Sequence, residues 1–236
     1  MNEDAAPEDA APDDAAPKPA PAPARPPVGL DLVEPEAYAP MLRRLAAVAA
    51  GIGLVAALLA AVLLGPAPAL AVFLVIAAPT VLTVAALRRR RMWLAGGVIH
   101  ARTLLGERRV DAAAATEVAV LVLPGRISRV ALRVTAGGPA ITVPLALYTG
   151  GPGAEAGEAR GRELPLLGLR GLADALAAAP LAAALALSSV LVAQLRAEAR
   201  DAPLEQRPLY RAVRAALDAG HRRAVVLSDR EIAGLV

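Results

Sequence analysis

The chain contains no cysteine, which excludes disulfides, thiolate metal sites and cysteine nucleophiles. Histidine is almost as scarce: His100 and His221 are the only imidazoles, too few for a histidine-based metal cluster. Aromatic residues make up 2% of the 236 positions although 56% are hydrophobic. Burial therefore falls to Ala, Leu and Val, which suits helix packing and lipid contact better than a large cavity. Lysine occurs once, at Lys18, and every other basic residue is arginine. That bias reads as genome composition rather than as phosphate recognition.

Catalytic signatures are missing too. The carboxylates Glu107, Asp111, Glu117 and Asp174 are scattered, with no spacing that converges two acids or pairs one with a histidine. The few serines sit in no G-x-S-x-G elbow. The glycine-rich stretch "YTGGPGAEAGEARGRE" carries no Lys-Ser or Lys-Thr pair, and no G-x-G-x-x-G opens a helix, so it reads as a flexible surface loop. No enzyme and no cofactor is expected.

What is present is polarised along the chain. Residues 1–40 hold nine carboxylates against Lys18 and Arg25, whereas the remainder holds 23 arginines and 13 carboxylates. The opening "MNEDAAPEDAAPDDAAPKPAPAPARPP" has no apolar periodicity, and its prolines repeatedly remove backbone donors. Residues 1–40 are accordingly expected to form a disordered acidic tail. The stretch is acidic and lacks an apolar h-region, so it does not read as a signal peptide.

Leu45 to Leu64 is twenty residues without a charge, and Leu70 to Leu87 is a second uncharged run of eighteen. At about 1.5 Å per residue the first covers roughly 30 Å, the thickness of a bilayer's hydrocarbon core. "GPAPA" between them reads as a turn. Pro79 and Thr80 lie mid-way in the second run, where a kink is expected and a threonine hydroxyl can satisfy a local carbonyl. Small residues four apart (Ala47 and Gly51, Ala49 and Gly53, Ala57 and Ala61) would let backbones approach, and a homo-oligomer through the hairpin is compatible with them. Residues 41–89 are thus expected to be a transmembrane hairpin.

Arg43 and Arg44 precede the first run, Arg88, Arg89, Arg90 and Arg91 follow the second, and the turn is uncharged. The positive-inside rule then places both termini in the cytoplasm. Trp93 is expected at the headgroup level, and the arginines can attract anionic lipid.

Beyond Arg90 the period becomes two. "VIHARTLL" (98–105), "EVAVLVL" (117–123), "RVALRVT" (129–135) and "AITVPL" (140–145) read as strands, with turns at 95–97, 106–107, 124–128 and 136–139. Pro144 is expected at a strand end or edge. "LPLLGLRGLADALAAA" then supplies a helical apolar stripe at Leu166, Leu169, Leu172, Ala173 and Leu176.

Two apolar runs, a basic stop, a Trp-bearing first strand, the hairpin "GGVIHARTLLGERRV", the pair "RVALRV…ITVPL" and a closing helix resemble the bacterial membrane-anchored PH-like domain proteins. The resemblance covers roughly residues 41–180 and rests on layout. It implies an α+β membrane protein: a two-helix transmembrane hairpin, then a small antiparallel β-barrel or sandwich (90–179) capped by a C-terminal helix, on the cytoplasmic face of the bacterial inner membrane. It also implies an absence of catalytic residues. The phosphoinositide pattern of eukaryotic PH domains does not carry over, and an OB-like barrel, which would lack the capping helix, is the competing fold. Arg102, Arg108, Arg109, Arg129 and Arg133, with Arg126 and His100, are expected on outward positions, either as a solvated face or pressed against anionic lipid or a partner. Nucleic acid is not expected, since only Trp93 offers a ring for stacking there.

Residues 180–236 read as a helical region. The uncharged run 175–193 is interrupted by Pro180, where a new helix with a Leu181–Leu185–Val192–Leu195 stripe is expected to start and pack on the domain; a third span is the alternative. Glu205–Gly220 reads as an amphipathic helix, "AVVL" as a short strand, and Ser228 with Glu231 as a capping box. The expected function is a membrane-tethered, non-enzymatic module that recruits or scaffolds a protein partner. The alternative is a small accessory subunit of a transport or secretion complex, although neither span contains an ionisable residue.

Overall fold

The computed structural model describes residues 26–33, 35–150 and 160–235. Most of the acidic tail and of the glycine-rich loop lies outside these residues. Two long apolar helices come first, α1 (Pro35–Leu64) and α2 (Pro66–Arg89). A single residue, Gly65, separates them, at φ 94°, a conformation that favours glycine. The expected five-residue turn is therefore much tighter, because Pro66 is suited to the first position of a new helix and starts one at once. α1 also begins well before the apolar run; its thirty residues measure about 45 Å, longer than a bilayer core is thick.

The two helices pack along small residues. A Cβ on Gly53 would lie 3.3 Å from both the Ala77 Cβ and the Phe73 ring, and Ala60, Ala69, Ala77 and Val84 are buried in the same seam. Of the expected small-residue pairs, Gly53 is in this contact, whereas Gly51 faces outward with nothing near it. Leu58, Val62, Leu74 and Val75 leave a broad apolar surface exposed on the outside of the hairpin. The hydroxyl that satisfies the carbonyl at the proline belongs to Thr83, which donates to the Pro79 oxygen at 2.7 Å, and not to Thr80.

The remainder is α+β, with two antiparallel sheets. The first has the order β1 (Val28–Gly29), β2 (Arg91–Ala95), β3 (Val98–Thr103), β4 (Gly106–Asp111). The second is built from β5 (Glu117–Leu123), β6 (Ile127–Thr135), β7 (Ile141–Thr149), β8 (Arg160–Glu163) and β9 (Val225–Val226), in the order β8-β7-β6-β5-β9. Residues 112–116 turn the corner between them: the Ala112 N–H reaches the Gly97 oxygen, and the Thr116 N–H reaches the Thr135 oxygen at 2.7 Å. Among the described residues no strand pairing joins the sheets, so they form an open sandwich and not a closed barrel.

The inner faces follow the alternation. Met92, Leu94, Ile99 and Val110 line one sheet; Val118, Val120, Val122, Val130, Leu132 and Val134 line the other. Pro144 lies within β7, at a point where that strand is an edge, as expected of a residue with no N–H to donate. Its neighbour Leu145 is the extra residue of a bulge, since Val130 pairs with Ala146 and Ala131 with Pro144. On the other side β8 pairs only with residues 146–149, so β7 is locally an edge at the proline. β8 itself turns the end of the expected loop into a strand.

The segment before the hairpin also departs from the sequence reading. Residues 28–32 belong to the domain rather than to a tail. β1 pairs with β2, the Leu30 N–H reaches the Met92 oxygen at 2.9 Å, and Leu30 and Leu32 are buried in the common core. The Met92 N–H donates to the Asp31 carboxylate at 3.2 Å, and the Arg162 side chain donates to the Leu32 oxygen at 2.9 Å. The whole helical hairpin is thus an insertion between two neighbouring strands.

Helix α3 (Leu166–Ala177) covers the first sheet. Its glycines allow a close approach: a Cβ on Gly171 would stand 2.9 Å from Leu94, and one on Gly168 3.2 Å from the Gly29 oxygen. α4 (Ala182–Ala199) packs against α3, α5 (Pro208–Asp218) closes on the second sheet, and α6 (Asp229–Ala233) packs against α4; all contribute to the same core. α4 buries Ala184, Leu187, Ser188, Leu191 and Gln194, while Leu185 of the expected stripe is exposed. The helix is rotated so that two polar side chains turn inward: Ser188 donates to the Ala173 oxygen at 2.9 Å, and the Gln194 oxygen accepts from the Leu209 N–H at 3.1 Å, while its buried Nε2 has no hydrogen-bond partner among the described residues. The Ser228–Glu231 capping box at the start of α6 forms as expected.

Leu30 is fully buried at the point where the chain leaves for the hairpin. Leu30→Ala is expected to cost about 2–5 kcal/mol of stability, read as a lowered midpoint of thermal unfolding in detergent. An unchanged midpoint would show that β1 is not part of the folded core.

Candidate functional site

The chemistry-bearing residues collect where α2 becomes β2. Arg88 and Arg89 occupy the last turn of α2, where cations complement the helix dipole. Arg90 caps the helix, its N–H reaching the Ala86 oxygen at 3.0 Å, and Arg91 opens β2. Four consecutive arginines therefore span a helix end, a cap and a strand start, and their side chains leave in several directions.

Strand pairing then brings the β3–β4 hairpin to the same place. Arg91 lies opposite Arg102, and Ala101 opposite Arg108. Arg88, Arg89, Arg91 and Arg102, with Thr103, Leu104 and Gly106, line an outer cleft of about 460 Å³. A second cleft of about 300 Å³ opens between the two sheets beside it, lined by Arg90, Met92, Arg102, Arg108 and Ile141 among others. Arg102 borders both. No carboxylate among the described residues forms an ion pair with Arg102 or Arg108. A cluster of guanidinium groups at this density is a ready receptor for phosphate or carboxylate oxygens.

The hairpin tip differs from the expected turn at Gly106–Glu107. The turn is Leu104–Leu105, closed by a hydrogen bond from the Thr103 hydroxyl to the Gly106 oxygen at 3.1 Å, with Gly106 at φ 143° starting β4. Leu105 is 97% exposed.

The other arginines singled out in the sequence do not share one face. Arg109 donates to the Glu107 carboxylate at 2.8 Å, and His100 meets the same oxygen at 2.9 Å. Trp93 is stacked on His100, ring centroids 5.0 Å apart, so it is built into the sheet. Arg129 and Arg133 stand exposed on the outer face of β6 in the second sheet, with the exposed Ile127. Arg43 and Arg44 lie exposed on α1, just before its apolar run. The structure thus brings together Arg88, Arg89, Arg91 and Arg102, adds Arg90 and Arg108 next to them, and sets Arg109, Arg129 and Arg133 apart.

A second polar cluster was not legible in the sequence. Tyr148 donates to Glu163 at 2.6 Å, and Arg207 pairs with the other Glu163 oxygen at 2.7 Å. Burial, reinforced by the neighbouring carboxylate, pushes the Tyr148 hydroxyl far above the usual phenol range. Arg207 also donates to the Ala202 oxygen, and Tyr148 meets Tyr210 edge to face. The cluster ties β7, β8 and the start of α5 together, with the tyrosine held neutral. Among the described residues no group of three or more His, Asp and Glu side chains is placed to hold a metal ion.

The chain matches no protein-family model, no curated protein and no solved structure in the comparisons made.

Hydrogen bonds from His100 and Arg109 hold the Glu107 carboxyl below its ordinary range. A depressed carboxylate contributes stability that is complete above its unfolded-state pKa and is lost as pH falls through the folded one. Trp93, the only tryptophan, reports this through its contact with His100. Its emission is expected to step at a pH below the ordinary glutamate range of about 4.3, and Glu107→Gln is expected to remove that step. An identical step in the variant would assign it elsewhere.

Proposed function

We propose that this chain is a membrane-tethered, non-enzymatic module of PH-like design that recruits or scaffolds a protein at the cytoplasmic face of the bacterial inner membrane. The observation that carries the reading is the pairing of β1 with β2 across the helical hairpin. α1 and α2 are each long and apolar enough to cross a membrane, and only 11% of each apolar window is buried inside the protein. Their outer ends are held side by side in one sheet, so an inserted hairpin presents the β-domain directly at the bilayer surface. Arg43, Arg44 and the Arg88–Arg91 run sit at those ends, and the Gly65 turn is uncharged, which supports a cytoplasmic domain under the positive-inside rule. Two antiparallel sheets followed at once by α3 support the PH-like reading over an OB-like one.

α4 also has the length and apolarity of a span, but 39% of its window is buried within the domain. Its inward Ser188 hydroxyl and Gln194 oxygen are bonded within the domain, which supports two crossings rather than three. The 39% burial of α4 favours the scaffold reading over the accessory-subunit one, which calls on a third span. The protein partner is expected on the outer face of the second sheet, where Arg129 and Arg133 alternate with Ile127 and Ala131 and border Leu121, Leu123 and Val226.

A photo-crosslinking residue at Arg129 or Arg133, in the full chain within native membranes, is expected to trap one discrete protein adduct. The same residue at Asp218 is not. No adduct at either β6 position, with the chain at its native level, would refute the scaffold reading.

A further inference from the structure

We propose that the β3–β4 hairpin is a second, shallow membrane contact: Leu104 and Leu105 enter the headgroup region beside the hairpin, and Arg102 with Arg88 and Arg89 binds the phosphate of an anionic phospholipid in the cleft behind them. This rests on the reading that α1 and α2 are inserted in a bilayer.

The argument begins with direction. β2 runs from Arg91 away from the end of α2, and β3 returns antiparallel, so Arg102 comes back level with Arg91. The three residues after Arg102 carry the chain further toward the helices, by up to about 10 Å at strand spacing. β3 accordingly contacts α2, and Leu104 shares the outer cleft with Arg88 and Arg89. The last apolar residue of α2 is Leu87, so the tip stands at the level where the bilayer's hydrocarbon gives way to headgroups.

Exposure points the same way. Leu105 is more exposed than any other large apolar residue among those described, including the outward residues of α1 and α2. Two leucines in a two-residue turn oppose turn chemistry, which favours Gly, Asn, Asp and Pro. In water Leu105 buries almost nothing and Leu104 is 39% exposed; against a bilayer both are continuous with the apolar surface of the helical hairpin. Arg102 has no carboxylate partner among the described residues and shares its cleft with three further arginines. Guanidinium groups that line one cleft can share an anion, and the leaflet adjoining the hairpin supplies phosphate at that depth.

The test uses the absence of cysteine. Leu105→Cys, and Asp218→Cys as an exposed control, each carry one environment-sensitive NBD fluorophore on the full chain. Both are reconstituted in phosphatidylcholine vesicles with and without phosphatidylglycerol. At position 105 the emission is expected to shift to the blue and to be quenched by headgroup-level spin-labelled lipid. The shift is expected to deepen with phosphatidylglycerol, and Arg102→Gln is expected to abolish that deepening. Emission at 105 as water-like as at 218, from chains that resist carbonate extraction, would overturn the wedge and leave the anchored hairpin standing. Chains extracted by carbonate would overturn the membrane reading itself, and the wedge with it. Glycerol phosphate in solution producing the same response would assign the cleft to a free phosphate and overturn the lipid contact, as would a shift that requires an added protein.

Discussion

Everything in this molecule depends on a strand pair a few residues long. Val28 lies opposite Leu94 and Gly29 opposite Trp93, the Leu30 N–H reaches Met92, and Met92 answers to Asp31. These few bonds close a loop whose entire content is a pair of apolar helices. Without them the helices would hang from the domain by one strand at Arg91. With them, both ends of the hairpin are fixed in one sheet, so the hairpin and the domain share a boundary rather than a linker. Partial burial pushes the Asp31 carboxyl above its usual range despite the Met92 N–H and the nearby Arg90 and Arg91.

That boundary also explains where the charge is found. A helix C-terminus tolerates cations, a strand start turns alternate side chains outward, and an antiparallel neighbour returns its own arginine to the same level. Arg88, Arg89, Arg91 and Arg102 are gathered by these three independent rules. Elsewhere the chain treats its charges differently. Arg109 is paired with Glu107, and Arg207 is buried against Glu163.

The sequence disclosed the large periodic features. Two uncharged runs of bilayer length predicted α1 and α2, alternation predicted β5 and β6, and a three-four spacing predicted α3. It disclosed less where the signal is a single residue or where the partner is distant. β1 is two residues long in a proline-rich setting, and only its register with β2, more than sixty positions away, makes it a strand. In α4 nearly every residue is apolar, so periodicity could not say which face turns inward; Ser188 and Gln194 decided it by bonding to Ala173 and Leu209. The glycine in "LLGE" suggested a turn at Gly106–Glu107, whereas the leucines form it, and a pair of leucines in a turn is the signal that was present. Five basic residues on outward positions looked like one face, but register separates them between two sheets. The Tyr148–Glu163–Arg207 cluster joins residues far apart in the chain and had no local signature.

The central claim is that the chain crosses the membrane twice, with everything outside the hairpin on one side. Single cysteines at Ala67, Ala113 and Asp218 test it directly, since all three positions are exposed and the chain has no cysteine of its own. Intact cells are treated with a membrane-impermeant maleimide, before and after permeabilisation. Labelling of Ala67→Cys alone in intact cells, with Ala113→Cys and Asp218→Cys labelled only after permeabilisation, is the predicted result. Labelling of Asp218→Cys together with Ala67→Cys would make α4 a third span, and protection of all three until permeabilisation would mean that the hairpin does not cross; either would contradict the account.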